Sequence, residues 1–400
     1  MIGRATGGIR DAVAQYATRF HRLFDGTHGV ASPFGAWLLL ALVAPAADRK
    51  ARGDFAGLLG CEVDDAFEAA TRMLAHPHAE LVLGAAVWND PRVETAPLLD
   101  FLRTLAAHAE GGPIPSQAEA DAWARQRTLG LIERFPVDLD RGDPVVLLLA
   151  TAIAARVSWQ VPFNVIDPSA SVLPAAPGFS GVPLLRDAGA AAWSGIVATD
   201  AGLLAGYTAR SADGLLVTSA VGAAGAAPAA VLDATQRIAC AVAARRPPPT
   251  VSLFDLELGD HEAWRITERT TTYVGLPERY DVVLPAWQAV SNHDLTRADL
   301  GFPAAGAMLV DLLPPRSSDY AVEARQSAMA RYTRAGFEAA AVTALAARLT
   351  SAPRTEDGPV RTARVEFTRP HAAVATTDGD GDWDGLPVFS AWVAEAVPAS

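Results

Sequence analysis

The sequence predicts a mixed α+β fold in one domain. Helical patterns fill the first third of the chain, and strand patterns fill the middle and the end. Half of the 400 residues are apolar, which supplies a sizeable core. No internal repeat and no clear linker divides the chain, so residues 1–400 read as a single domain.

Residues 11–24 are amphipathic, with Val13, Tyr16, Phe20, Leu23 and Phe24 on one helical face. Gly29-Val30-Ala31 is a short strand pattern. Ser32 and Pro33 then open a buried helix, with Ser as N-cap and Pro at the first helical position. Helical segments continue to about Ala75. Leu81 to Trp88 reads as a buried strand, which Asn89-Asp90-Pro91 stops. Helices are predicted over residues 96–107 and 117–135. The second carries Ala122, Leu129, Ile132 and Phe135 on its apolar face, with Trp123 beside it, and Pro136 ends it.

Residues 145–159 form the strongest strand pattern. The run Val145-Val146-Leu147-Leu148-Leu149-Ala150 is apolar on both faces, as in a strand buried on both sides, and Pro162-Phe163 closes it. Between residues 171 and 249, Pro and Gly turns separate short strands such as 203–207 and 214–221, which predicts hairpins. Residues 223–230 are all Ala, Gly and Pro and read as a loop. Arg245-Arg246-Pro247-Pro248-Pro249 reads as a stiff surface turn.

Charge and composition narrow the function. The net charge is −12 and there is no basic cluster, which argues against nucleic acid and anionic membrane surfaces. The longest apolar run, residues 36–47, is too short to span a membrane and is broken by Pro45. No signal-peptide pattern opens the chain; the expected compartment is cytoplasmic, with an extracellular location as the alternative. Cys61 and Cys240 are too few and too distant for a disulfide scaffold or a metal site, and read as small buried residues.

Chemical motifs are sparse. Residues 378–385, Asp-Gly-Asp-Gly-Asp-Trp-Asp-Gly, resemble the start of a calcium loop, but Phe389 stands where its closing carboxylate belongs, so an acidic hairpin turn is expected. His76-Pro77-His78 reads as a solvated turn. Gly178-Phe179-Ser180-Gly181 has its second Gly one place too early for a nucleophile elbow. A Ser-x-x-Lys site is impossible, because Lys50 is the only lysine and Ala47 precedes it by three. No P-loop or dinucleotide pattern occurs. Nothing in the sequence supports an enzyme, a cofactor or a metal.

The late segment is the most informative. Residues 328–334 alternate as a strand does. Gly336-Phe337-Glu338-Ala339-Ala340-Ala341-Val342-Thr343 follows, small, nearly uncharged and free of Pro. A strand leading into Gly, Glu and small residues resembles the reactive-loop hinge of the serpins. Other segments resemble that family in its own order. Val30-Ala31-Ser32-Pro33-Phe34 resembles the strand and start of its buried helix. Residues 117–136, with Trp123 and Gly130, resemble the helix across its main sheet. Residues 151–163, with Trp159, Pro162 and Phe163, resemble its third main-sheet strand. Asp281-Val282-Val283-Leu284-Pro285-Ala286-Trp287, Asp294-Leu295 and Leu300-Gly301-Phe302 follow, and residues 326–336 align with its fifth main-sheet strand without a gap. Phe367-Thr368-Arg369-Pro370 and Leu386-Pro387-Val388-Phe389 resemble its closing strands.

The resemblance, to a divergent bacterial-type member, implies three β-sheets, eight or nine helices and an exposed reactive loop at about 336–361. It implies a monomeric inhibitor of a serine, or alternatively cysteine, endopeptidase, which is trapped as a covalent adduct when the cut loop inserts into the main sheet. The implied bait bond is Thr350–Ser351, with Arg348 and Leu349 as rivals. Gly336 to Thr343 is the implied hinge, Trp159 packs beneath the insertion point, and Ser32, Thr151 and Gln326 belong to the region that controls sheet opening. The residues suit this. No Pro lies between Pro315 and Pro353, as a central strand requires. Counting from Phe337, the core-facing positions are Ala339, Ala341, Thr343, Leu345 and Ala347, with Glu338 and Arg348 facing outward.

The chain also departs from the pattern. Phe337 replaces a Thr or Ser, Arg334 a Glu, Gly35 a Ser, Thr151 an Asn and Gln326 a His. Seating the Phe337 ring in a packed core costs on the order of 1–3 kcal/mol. A non-inhibitory protein of the same fold, acting as a protease substrate or a binding protein, is the alternative reading.

Overall fold

The structure is a computed structural model that describes residues 8–140, 145–155, 157–273, 276–315, 320, 322–337 and 356–398. Helix α1 (Ile9–His21) buries Val13, Tyr16 and Phe20; strand β1 (Gly29–Ala31) follows. Helix α2 (Pro33–Val43) starts as the sequence indicates: Ser32 caps it by accepting the Gly35 N–H, and Pro33 is its first residue. It is apolar all round and almost wholly buried. Helices α3 (Ala51–Leu59) and α4 (Val63–Ala75) cover it. Strand β2 (Leu81–Asn89), helix α5 (Ala96–Leu105), strand β3 (Glu110–Gly112), helix α6 (Gln117–Arg127), and strands β4 (Leu147–Ala155) and β5 (Val157–Ser158) complete the first half.

Strands β6 (Asn164–Ile166), β7 (Leu184–Arg186), β8 (Trp193–Thr199), β9 (Gly202–Arg210) and β10 (Leu215–Val221) come next. Helix α7 (Pro228–Ala243) interrupts them. Strands β11 (Gly259–Asp260), β12 (Trp264–Tyr273), β13 (Glu278–Pro285) and β14 (Trp287–Asp294) lead to helix α8 (Phe302–Asp311). The chain closes with β15 (Arg325–Tyr332), β16 (Gly336–Phe337), β17 (Glu356–Glu366), β18 (His371–Asp378) and β19 (Asp384–Val393).

Among the described residues these strands form two six-stranded sheets, ordered β1-β19-β18-β10-β9-β8 and β11-β12-β17-β13-β7-β6. A third layer consists of β3-β2-β4 and β14-β15, with the short pair β16-β5. The main core joins α1 and α2 to the first sheet and to the inward face of the third layer. A second cluster packs α6 and the segment after it on the outward face of β2 and β4.

Three expectations are corrected. The predicted helix over residues 117–135 ends at Arg127. Leu129 and Gly130 are both left-handed, with φ 56° and 81°, and the Gly130 N–H reaches back to the Arg125 carbonyl, a Schellman closure with Leu129 in the place Gly usually takes. The Thr128 hydroxyl donates to the Ala124 carbonyl and accepts the Ile132 N–H, which competes with helix continuation.

The hairpins predicted between residues 171 and 249 are interrupted by α7. There Pro228 sets the first turn, Ala dominates, and Val231, Leu232, Thr235, Ile238, Ala239 and Val242 recur on one buried face. Of the predicted loop 223–230, only the part before Pro228 stays outside the helix. The strand predicted to run unbroken through residues 326–336 stops at Tyr332 and turns over Thr333 to Gly336.

The acidic segment 378–385 is a hairpin turn between β18 and β19, where Arg210 pairs with Asp378 and Arg72 with Asp382. Cys61 and Cys240 are free and half-buried.

Candidate functional site

The site is a break in the third layer. Strand β4 has β2 as its described neighbour, and β15 has β14. Along residues 147–155 and 325–332 the facing edges of β4 and β15 share no ladder among the described residues. Unpaired strand edges seek another strand. Between them lies a crevice of 460 Å³, floored by Leu39 and Val43 of α2, walled by β4 and β15, and flanked by Phe302 and Leu309 of α8. Residues Leu147, Leu149, Thr151 and Ile153 of β4 are only half-buried, because the crevice passes beside them.

The break closes at its upper end, in an unexpected way. After Tyr332 the chain reverses: the Thr333 N–H donates to the Gly336 carbonyl at 3.1 Å. Gly336 and Phe337 then pair antiparallel with Ser158 and Val157. Strand β16 therefore heads back down toward the crevice. Only glycine suits the turn, since Gly336 has φ 138° and an added Cβ would fall on the Val157 carbonyl oxygen.

Trp159 lies under this turn. It is buried, donates its Nε1–H to the Thr333 carbonyl at 3.0 Å, and packs against Tyr332 with ring centroids 4.8 Å apart. The Trp159 and Phe163 amides donate to the Ala335 and Arg334 carbonyls. Arg334 is exposed, and its Nε–H donates to the Phe163 carbonyl.

Beside the turn, Glu80 is buried and accepts the Ser211 hydroxyl; Ser211 forms a β-bridge with Trp159. Burial, only partly offset by that hydroxyl and neighbouring amides, pushes the Glu80 carboxyl up to about 6.

Lower down, polar groups span the break. Gln326 of β15 donates its Nε2–H to the Ser32 carbonyl at 2.8 Å, and its Oε1 accepts the Ser32 N–H at 3.0 Å. Ser32 Oγ donates to the Val388 carbonyl. Across the gap, Thr151 of β4 donates to the Gly35 carbonyl at 3.0 Å. The start of α2 thus tethers both halves of the layer. Gly35 leaves room here: a Cβ would sit 3.2 Å from the Ile153 Cδ1 and 3.3 Å from the Ser32 Oγ.

The structure therefore brings Ser32, Thr151 and Gln326 to one crevice, with Gly336 and Phe337 at its head and Trp159 beneath the turn that leads to them. Glu338, Ala339, Ala340, Ala341, Val342 and Thr343, and the implied bait residues Arg348, Leu349, Thr350 and Ser351, lie outside the described residues. Sequence reasoning missed Glu80, whose partners come from a hairpin 131 positions away.

It also missed a second constellation. Ser390 Oγ lies 2.8 Å from His21 Nε2, and His21 Nδ1 lies 2.6 Å from Asp233. This is the connectivity of a nucleophile relay. His21 is 0% and Ser390 1% exposed, so no substrate can reach the hydroxyl, and the trio links α1, α7 and β19. Among the described residues no cluster of three metal-ligating side chains occurs.

No protein-family model and no curated relative matches the sequence. Solved structures do. Tengpin, a thermophilic serpin in its native state, superposes with a TM-score of 0.66 at 14% identity, over 98% of this chain and 96% of its own. Human thyroxine-binding globulin gives 0.65 at 14% identity, over 96% and 97%. Serpin48, a highly specific serpin of the insect Tenebrio molitor, gives 0.63 at 14% identity, over 98% and 99%.

Proposed function

We propose that this chain, which has the serpin fold, inhibits a serine endopeptidase, or alternatively a cysteine one, by trapping it as a covalent adduct. The observation that carries the proposal is the antiparallel pairing of Gly336–Phe337 with Val157–Ser158 at the head of a gap between two strand edges that share no ladder among the described residues. Extending that register leads a strand down the crevice. Ten residues separate Val157 from Leu147, roughly 33 Å at 3.3 Å per residue, and residues 337–347 match that length. Val157 packs into the main core, so positions 339, 341, 343, 345 and 347 would share the inward face. They are Ala, Ala, Thr, Leu and Ala.

The chemistry belongs to the target. Its nucleophile attacks the carbonyl carbon of the scissile bond and forms an acyl-enzyme. The C–N bond breaks, and the new amine leaves with a proton. With Thr350–Ser351 as the bait, the freed end stays joined to β16 and can enter the crevice, carrying the protease before water completes hydrolysis. The chain itself is not an enzyme in this reading. Incubation with trypsin-like and elastase-like proteases tests it: a band stable to denaturing electrophoresis supports trapping, and clean cleavage alone rejects it. A second reading, a non-inhibitory substrate or binding protein, is favoured by the bulky Phe337 at the first inserting position.

A further inference from the structure

A strand edge without a partner is where another chain can pair. Among the described residues, the outermost strands of the two six-stranded sheets are short or covered. Strands β1, β6 and β11 have three residues or fewer, and on β8 the Ile196 carbonyl accepts the Val251 N–H at 2.7 Å. Strand β12 differs. It pairs along ten residues with β17, but β11 covers only Arg265 and Ile266 on its other side.

The backbone directions identify the groups left over. The Ala263 carbonyl accepts the Glu366 N–H on the β17 side, and the Trp264 carbonyl accepts the His261 N–H on the opposite side. Alternation then turns the N–H and C=O of Glu268, Thr270 and Thr272 away from β17. None of these groups has a backbone partner among the described residues. Residues 267–272 are all exposed, and four of the six are Thr, which favours strands. Glu268 is paired with Arg361. Arg269, and Arg279 two strands over, are exposed and have no ion pair among the described residues. They share one face of the sheet, since their ladder partners Val360 and Thr362 are two residues apart.

This edge lies at the foot of the loop, where Tyr273 is opposite Glu356. Thr350 is six residues before Glu356, so the bait bond is within about 20 Å of that pair. An endopeptidase of about 220 residues has a radius of gyration of about 17 Å, so one seated on the bait is wide enough to reach the edge.

We propose that the outer edge of β12, residues 267–272, is a second contact for the target endopeptidase, which adds an extended segment of its own to this edge as a strand and sets an acidic side chain against Arg269. The backbone of Glu268, Thr270 and Thr272 supplies the hold, as in other cases of strand addition. Arg269 and Arg279 supply the charge that orients the approach. This rests on the trapping reading above and adds how the target is selected.

The test uses the full chain and those trypsin-like and elastase-like proteases that form an adduct with it. The rate of adduct formation is compared for wild type, Thr270→Pro and Arg269→Glu. Proline at an edge position whose N–H faces outward removes that donor and leaves the β17 ladder in place. Both variants are expected to form adduct roughly tenfold more slowly, the effect of one or two lost hydrogen bonds. Arg269→Glu is also expected to lose part of the salt dependence of the rate. Melting temperatures, uncut and cut, are expected to match wild type, which a misfolded variant would not do. Equal rates in all three proteins would overturn the second contact and leave the trapping reading standing. A wild-type dimer that Thr270→Pro disperses would assign the edge to a second copy of this chain and overturn the protease contact. No adduct with any protease would overturn the trapping reading and the contact with it.

Discussion

Gly336 is the residue on which the start of insertion depends. Its φ of 138° and the Val157 carbonyl beneath it leave no place for a Cβ. Gly336→Ala is expected to cost about 1–3 kcal/mol, the strain of a forbidden backbone conformation, and to undo the pairing with Ser158. Thermal unfolding and hydrogen exchange at Val157 would register both. Glu80 gives a pH signature. Its folded carboxyl titrates near 6, above the ordinary value of 4.5, so the protonated form is favoured in the fold. Its contribution is fully present below pH 4.5 and is lost as pH rises through about 6. His371 acts in the opposite sense. Burial lowers it from 6.5 to about 4, so its contribution is present above pH 6.5 and fades as pH falls toward 4. Glu80→Gln should flatten the first window and leave the second. Local chemistry made Ser32 legible in the sequence, because a cap and its Pro are adjacent. Glu80 was not, since its partner Ser211 comes from a hairpin far away along the chain.

The elements show the same division. Helix α2 and strands β2 and β4 could be read because each carries its own apolar pattern and its own punctuation. Helix α7 was hidden by an Ala-, Gly- and Pro-rich lead that looks like a loop until Pro228 is recognised as a first helical residue. Helix α6 was overextended because Leu129, Ile132 and Phe135 continue an apolar spacing, although Thr128 and the left-handed Leu129 and Gly130 stop the backbone. In α6 the capping box of Ser116 and Glu119 is exposed and complete. Ser116→Ala should cost about 1 kcal/mol. The loss should appear as faster exchange within α6 and in residues 128–139, which α6 holds through Asp121 and Gln117, with the two six-stranded sheets unaffected.

At the scale of the whole molecule, the topology places one layer in two halves above a continuous six-stranded sheet. Tethers at Ser32, Gly35, Thr151 and Gln326 hold the halves in register without filling the gap. The resemblance to a family indicated the order of segments and the place of the hinge. It did not indicate the reversal at Thr333–Gly336, because that turn arises from how the chain meets the end of β5. A layer whose halves share no ladder among the described residues has stability to gain when a strand enters between them. The direct measurement is thermal unfolding before and after limited proteolysis between residues 345 and 361. We expect the cleaved protein to melt at least about 10 °C higher, as several kcal/mol of added pairing and burial would produce in a chain of this size. An unchanged or lower melting temperature after clean cleavage would contradict insertion, and with it the trapping function.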